Sequence, residues 1–169
     1  MKNTIALFLM GFMVMSCGQQ QKSDPGAKFG RTSAEVVLSS NGFPMNYGVD
    51  VCAQSGGLIE TVRHGGRLVL DNGTDLRFNS SENLAKYYLN IQNRDEIASI
   101  EVVDFAHGRK MLPVNELIYL RSANRPSPGG YNITPIDNTN ERMKRNIYDA
   151  YPGEFLSWNE LLETVKGDL

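Results

Sequence analysis

Cysteine is scarce in this sequence, and its scarcity limits how the fold can be held together. Cys17 and Cys52 are the only two cysteines among 169 residues. If Cys17 has another use, Cys52 is a single free thiol and no intramolecular disulfide can form. The hydrophobic core must then stabilise the fold without covalent crosslinks.

An excess of charge of one sign is also missing. The chain has 17 Lys and Arg against 19 Asp and Glu, a formal net charge of -2, and both signs are mixed along the sequence. This composition favours neither a nucleic-acid surface nor a basic membrane patch. The sequence contains no H-E-x-x-H, no G-x-S-x-G, no Walker A loop and no dinucleotide-binding fingerprint. We therefore predict that the protein is not an enzyme.

The N-terminal segment has the order of a lipoprotein signal peptide. Lys2 precedes an apolar stretch, residues 5–15, which is too short to span a bilayer and has the length of a secretory signal core. The stretch ends in V-M-S-C, with the small residue Ser16 before Cys17, and this resembles the bacterial lipobox. We predict a signal peptide over residues 1–16 and a lipid on Cys17. The alternative is an ordinary signal peptide with an incidental cysteine.

The lipid would anchor the mature chain in the bacterial cell envelope, facing the periplasm. Gly18 lacks the acidic character associated with inner-membrane retention in some bacteria, which favours the outer membrane. Residues 17–42 are predicted to be the lipidated cysteine and a flexible tether, because the start of this stretch is polar and poor in apolar residues. The folded domain is then expected over residues 43–169.

The first half of the domain predicts a hairpin, a helix and a third strand. Residues 67–78 place two short strands around Asn72-Gly73, a pair favoured where both central turn residues need positive φ. Asn79 with Glu82 three residues later predicts the start of a helix. Apolar residues at helical spacing extend that helix to about residue 93, and residues 97–105 predict a strand.

The second half repeats this order. Residues 116–120 and 131–136 predict two strands, the second at a sheet edge because Pro135 cannot donate a ladder hydrogen bond. Asn138 and Glu141 form the same N-x-x-E helix start.

The second predicted helix is followed by two short elements. Met143, Ile147 and Ala150 lie on one face of this helix, and Gly153 is expected to end it. Residues 154–157 predict a strand. A terminal helix follows, with Ser157 as its N-cap and Glu160 at its third position.

Both halves therefore predict strand, strand, helix, strand. We predict an α+β fold made of two tandem ββαβ units, over about residues 57–108 and 114–158, followed by a short C-terminal helix. A chance repeat is the alternative, because capping boxes are common.

Several short stretches, taken in order, carry a resemblance to a known family. They are Y-G-V-D-V-C with Ile59 shortly after, the hairpin from Gly73 to Phe78, V-V-D-F with Gly108, E-L-I-Y-L-R-S, S-P-G-G, and G-E-F-L-S-W-N-E-L. Together they resemble the nitrous-oxide reductase accessory lipoproteins, the NosL family, over residues 45–162. The resemblance implies a lipid-anchored envelope protein that binds copper(I) and helps to assemble the reductase's copper centres. It also implies the two ββαβ units shared with organomercurial lyase.

This chain departs from the family at the positions that carry sulfur. The family motif C-x-x-C-x-M begins here at Cys52, its second cysteine falls on Ser55 and its methionine on Gly57. The methionine of the family's S-P-M-G falls on Gly129. Copper(I) prefers thiolate and thioether sulfur, and these three replacements offer none.

Two further family positions are also changed. The usual F-D after the hairpin is Phe78-Asn79 here, and a frequent cysteine in the next turn falls on Asn83. A rebuilt copper(I) site would use Cys52 with a substitute such as Met45. Other sulfur or imidazole groups in the sequence are Met111, Met143, His64 and His107. Both histidines adjoin glycines and are expected in exposed turns, and Met143 is expected in a helix core.

Three functions remain open at this stage. The first is a copper(I) shuttle using Cys52 and substitute ligands, which delivers to nitrous-oxide reductase or its assembly proteins. The second is a metal-free scaffold or regulator that binds a partner in the same assembly system. In that case Cys52 is an inert buried thiol, and Arg121, Arg125 and the loop N-R-P-S-P-G-G contribute to a contact surface. The third is a thiol-dependent enzyme. Organomercurial lyase chemistry resembles an arrangement of two cysteines and a carboxylate, and the single available cysteine argues against it.

Overall fold

The computed structural model describes residues 42–167. The predicted signal peptide, the lipid attachment site Cys17 and the tether up to residue 41 lie outside the described residues. None of the helices in the described part has the length and apolar character to cross a bilayer.

The first unit is a four-stranded antiparallel sheet with one helix. Its strands are β1 (Gly66–Leu70), β2 (Asp75–Phe78), β3 (Ile97–Val103) and β4 (Met111–Pro113), in the spatial order β2-β1-β3-β4. Helix α1 (Ser81–Asn90) connects β2 to β3. The first strand in the sequence is therefore flanked by the second and the third.

The second unit repeats the β2-β1-β3 arrangement of the first unit, without a fourth strand. Its strands are β5 (Leu117–Arg121), β6 (Ile133–Asp137) and β7 (Glu154–Leu156), in the order β6-β5-β7, with α2 (Glu141–Ala150) between β6 and β7. Helix α3 (Trp158–Lys166) follows. The predicted α+β fold with two ββαβ units is confirmed, as is the edge position of the strand that contains Pro135.

The β1–β2 turn differs from the tight turn that Asn72-Gly73 predicts. Gly73 has φ +83°, but Asn72 is not among the described residues with positive φ. Gly73 N–H donates to Leu70 O (2.9 Å) and Thr74 N–H donates to the Asn72 side chain (2.9 Å). The loop is thus longer than two residues, because Asn72 makes an Asx turn rather than adopting the left-handed conformation.

Two of the three predicted helix caps are wrong by one or two residues. Ser80, not Asn79, caps α1, with its Oγ accepting from Asn83 N–H (3.2 Å), and α1 ends at Asn90 rather than at residue 93. Asn140, not Asn138, caps α2. In each case neighbouring residues can cap equally well, and tertiary contacts decide between them.

The third cap and the strand ends are closer to expectation. Ser157 caps α3 in a capping box with Glu160, as predicted. β7 ends at Leu156 rather than at 157 because Ser157 starts this helix. β3 ends at Val103 rather than at 105 because Asp104 enters a turn in which its carboxylate accepts from Ala106 N–H (3.3 Å).

Two hydrophobic cores lie on opposite faces of the second sheet. Side chains alternate along a strand, so Tyr119 joins the large core and Leu120 the small one. The large core also contains Cys52, Met45 and buried side chains of both sheets, α1 and α3. The small core consists of Phe105, Leu120, Ile136 and Ile147, with Met143 half-buried beside it. Ala150, expected on the buried face of α2, is exposed.

Candidate functional site

The segment that contains Cys52 is a small hairpin in front of the first sheet. Val51 and Leu58 form an antiparallel bridge. Cys52 N–H donates to Gly57 O (2.8 Å), and Gly56 N–H donates back to Cys52 O (2.9 Å). Gly56 has φ +71°, a conformation that glycine adopts without the strain of a side chain. The residues from 52 to 57 thus form a closed turn, which we call the Cys52 loop.

Cys52 points inward from this exposed loop. Cys52 is 1% exposed and belongs to the large hydrophobic core. Ser55 N–H lies 3.5 Å from Cys52 Sγ and donates to it. Ser55, Gly56 and Gly57 are exposed, so the loop shields its only thiol from solvent. This is the environment of a cysteine that packs as a small hydrophobic residue.

The positions that match the family's copper motif come together at the start of α1. Asn79 Nδ2 donates to Ser55 Oγ (3.5 Å), and Gly57 N–H also donates to that oxygen (3.4 Å). Asn83 Nδ2 donates in turn to Asn79 Oδ1 (2.7 Å). The fold therefore brings these positions together, and the side chains of Ser55, Asn79 and Asn83 form a polar hydrogen-bonded chain without sulfur.

Gly129 also approaches the N-terminal end of α1. A Cβ on Gly129 would lie 2.6 Å from both Glu82 Cβ and Ser80 Oγ. Glu82 is fully buried and accepts hydrogen bonds from Ser81 Oγ (3.2 Å) and from Ser127 Oγ. A buried carboxylate requires such donors, and the first turn of a helix also favours its negative charge. The space that a methionine at 129 would use is thus occupied by Glu82.

Glu82 does not have the helix-capping role that its position in the sequence predicts. Its N-x-x-E spacing predicted a capping partner for Asn79, yet its carboxylate reaches Ser127 in the loop between β5 and β6. No local pattern indicates this contact, because Ser127 lies far along the chain.

Met45, the substitute ligand considered above, is engaged in packing. It is 1% exposed, and a Cβ on Gly65 would lie 2.6 Å from Met45 Sδ, which shows how closely the thioether fits this glycine. Tyr47 Oη lies 3.9 Å from the same sulfur. Among residues 42–167 no group of three or more His, Cys, Asp or Glu is placed to hold a metal ion. The described side chains at the motif positions therefore do not fit copper(I).

The two histidines have different environments. His107 is exposed in a turn, as predicted, and its Nδ1 contacts the buried carboxylate of Asp104. His64 was also expected in an exposed turn, but it is 5% exposed, because its ring packs edge-on against Phe105. Burial, together with the charge of Arg125, lowers the pKa of His64 to about 4.

Exposed aliphatic side chains precede and follow the Cys52 loop in the chain. Val51 (43% exposed) and Leu58 (51%) are cross-strand partners and therefore project to the same face of the hairpin. Val49 (69%) precedes them and Val62 (41%) follows them in the chain. We call these four residues the aliphatic hairpin surface. Single exposed apolar residues are ordinary, but several on one short segment indicate a contact surface.

Comparison with known proteins gives a likeness in fold. No protein-family model matches the sequence, and no curated protein sequence matches it significantly. The structure is similar to the crystal structure of the copper chaperone NosL from Shewanella denitrificans, with a TM-score of 0.56. The match covers 77% of this chain and 96% of that one, at 14% sequence identity. At this identity the likeness supports a NosL-like fold, as the sequence resemblance implied.

Proposed function

We propose that this protein is a metal-free, NosL-like accessory protein of the bacterial envelope, which binds a protein partner through the aliphatic hairpin surface. One observation carries the proposal. A single hairpin buries its only thiol, Cys52, and exposes Val49, Val51 and Leu58, and the exposed Val62 follows it in the chain. A copper(I) carrier requires the opposite arrangement, with sulfur ligands that an incoming ion can reach.

The sequence supports the location and the partner class. The V-M-S-C segment supports lipid attachment at Cys17 and an anchor in the envelope, with the domain facing the periplasm. The family resemblance supports nitrous-oxide reductase or one of its assembly proteins as the partner. The proposal assigns no catalytic residue, because the group that hydrogen-bonds to Cys52 Sγ is the Ser55 backbone N–H, a donor that cannot act as a general base.

A copper(I) shuttle is the second candidate, favoured by two observations. The structural neighbour is described as a copper chaperone. In addition, Cys52 keeps one sulfur at a position that resembles the family motif, and copper(I) prefers sulfur ligands. In this candidate the Cys52 loop must open before the thiol can accept copper.

An anaerobic copper(I) titration separates the two candidates. Residues 18–169, which include both sheets and both cores, would be titrated against a competing copper(I) chelator, beside a Cys52→Ser variant. The metal-free proposal expects both proteins to leave the chelator fully loaded. Stoichiometric binding by the native sequence that is lost in Cys52→Ser would instead establish the shuttle.

Partner binding tests the surface itself. The same chain would be assayed against purified nitrous-oxide reductase and its copper-assembly proteins. We expect Val51→Glu with Leu58→Glu to weaken binding by about tenfold or more, because a contact surface loses most affinity when its apolar centre is charged. Phe155→Glu is the matched control, since Phe155 is an exposed apolar residue (38%) on β7 of the second unit. Equal weakening by both changes, or no partner binding by the native chain, would reject this surface.

A further inference from the structure

Two arginine side chains lie against one phenylalanine ring where the two units meet. The guanidinium carbon of Arg63 is 5.2 Å from the centre of the Phe105 ring, and that of Arg125 is 4.6 Å from it. Phe105 N–H donates to Pro135 O on β6 (2.9 Å), which ties this ring to the second sheet. Two like charges on one ring repel each other unless an anion lies between them.

Neither arginine has a carboxylate within ion-pair distance in the described part of the chain. Arg63 Nη1 donates to the Phe105 carbonyl (2.9 Å), and Arg125 Nη1 donates to Tyr151 Oη (3.4 Å). Both of these acceptors are neutral. By contrast, Arg121, the other arginine of the predicted contact surface, pairs with Glu154 (2.6 Å).

Three buried polar atoms, two of them on Arg125 and His64, have no hydrogen-bond partner among residues 42–167. They are Arg125 Nε, His64 Nδ1 and Thr134 Oγ1, and all three atoms are buried. The His64 ring is 5.5 Å from the Phe105 ring, its other nitrogen is hydrogen-bonded to the backbone of Ile133, and both arginines act on it electrostatically. Thr134 is the next residue on β6. Because a buried polar atom without a partner costs free energy, these atoms favour a ligand that supplies hydrogen-bond partners.

We propose that Arg63 and Arg125, whose guanidinium groups both lie against the Phe105 ring, bind an oxyanion, either a carboxylate or a phosphate group. Guanidinium groups form strong charge-assisted hydrogen bonds with both. Arg125 Nε–H and the Thr134 hydroxyl can provide further donors. Arg63 is exposed and Arg125 half-buried, so a ligand approaches from the Arg63 side. The aliphatic hairpin surface ends at Val62, next to Arg63.

An NMR titration of residues 18–169 tests the site without copper and without a protein partner, so its outcome is separate from that of the proposed function. Acetate and phosphate are the two probes, which distinguish a carboxylate from a phosphate ligand. Acetamide, the neutral counterpart of acetate, and sodium chloride at matched ionic strength are the controls. We expect saturable shifts of the His64 and Phe105 signals with at least one anion and none with acetamide.

Arginine variants establish which charges bind. Arg125→Gln and Arg63→Gln should each weaken the anion by about tenfold or more, the usual effect of removing one charge-assisted partner. Arg121→Gln is the matched control and should leave the affinity unchanged, because Arg121 is already paired with Glu154. If Arg125→Gln perturbs the fold, the exposed Arg63→Gln variant decides. The proposal is wrong if neither anion gives saturable shifts, or if Arg63→Gln binds as the native chain does. Either result would assign the three atoms to an internal water.

Discussion

Glu82 occupies the space that a side chain at Gly129 would need. The hypothetical Cβ of residue 129 would lie 2.6 Å from Glu82 Cβ and 2.8 Å from Glu82 Cδ. The carboxylate itself is held by Ser81 and Ser127. A larger side chain at position 129 and the buried carboxylate of Glu82 therefore exclude each other.

Enlarging Gly129 should destabilise the fold. We expect Gly129→Ala to lower the free energy of unfolding by about 1 to 3 kcal/mol, the usual cost of forcing atoms into a packed site. Urea denaturation measures this. Gly57→Ala is the control, since a Cβ there would meet only Ser55 Oγ, at 3.7 Å. An unchanged stability of Gly129→Ala would mean that Glu82 can leave its buried position freely.

Adding a thiol and a thioether to the Cys52 loop should create copper(I) affinity. Ser55 and Gly57 are both exposed, and Gly57 has room for a side chain. The double variant Ser55→Cys with Gly57→Met should therefore compete with a chelator for copper(I), because a thiolate and a thioether on one loop suit this ion. The single variant Gly57→Met, which adds no thiol, should bind far less. A double variant without affinity would show that the loop cannot direct both groups to one ion.

The thiol of Cys52 should be protected in the folded protein. In the chain from residue 18 it is the only thiol, and it is 1% exposed. A water-soluble thiol reagent should modify it on the order of a hundredfold more slowly than in the urea-unfolded chain, because access requires local opening. Equal rates in the two states would contradict the buried placement.

Replacing this thiol tests its packing. Cys52→Ser should lower the free energy of unfolding by about 1 to 3 kcal/mol, because a hydroxyl is placed in an apolar surrounding. Cys52→Ala is the comparison that removes the sulfur without adding a polar group. A Cys52→Ser variant as stable as the native chain would mean that the site is hydrated.

Stability should fall in mild acid because of His64. Its pKa is about 4 in the folded protein and 6.5 in a solvated chain. Between these values the unfolded state takes up a proton that the folded state does not, so the stabilising contribution is complete above pH 6.5 and is lost as the pH falls towards 4. The loss is about 3 kcal/mol.

Chemical denaturation at several pH values between 7 and 4 measures this loss. His64→Phe, which cannot titrate, should show a flatter dependence over the same window. A His107→Gln variant assigns the imidazole NMR signals, since only two histidines are present. A native-chain pKa of His64 close to 6.5 would contradict the buried placement.

Local sequence patterns predicted the three α-helices and every strand except β4 (Met111–Pro113), but not most of their ends. Ser157 and Glu160 were identified as a capping box because both partners lie within one helical turn. Asn79 and Ser80 are adjacent residues that can both cap a helix, and local propensity does not separate them. The choice of Ser80 coincides with the contact between Asn79 and Ser55, a residue from a different part of the chain.

The sequence by itself determined the two ββαβ units, because hydrophobic period, turn residues and capping residues act within a few positions of each other. The sequence also predicts departures from the family's sulfur-rich motif at Ser55, Gly57 and Gly129. Only the tertiary structure decided that Cys52 points into the core, that Glu82 fills the space beside Gly129, and that His64 lies buried near two arginines. These features arise from contacts between segments distant in the chain, whose geometry depends on how the two sheets and their helices pack.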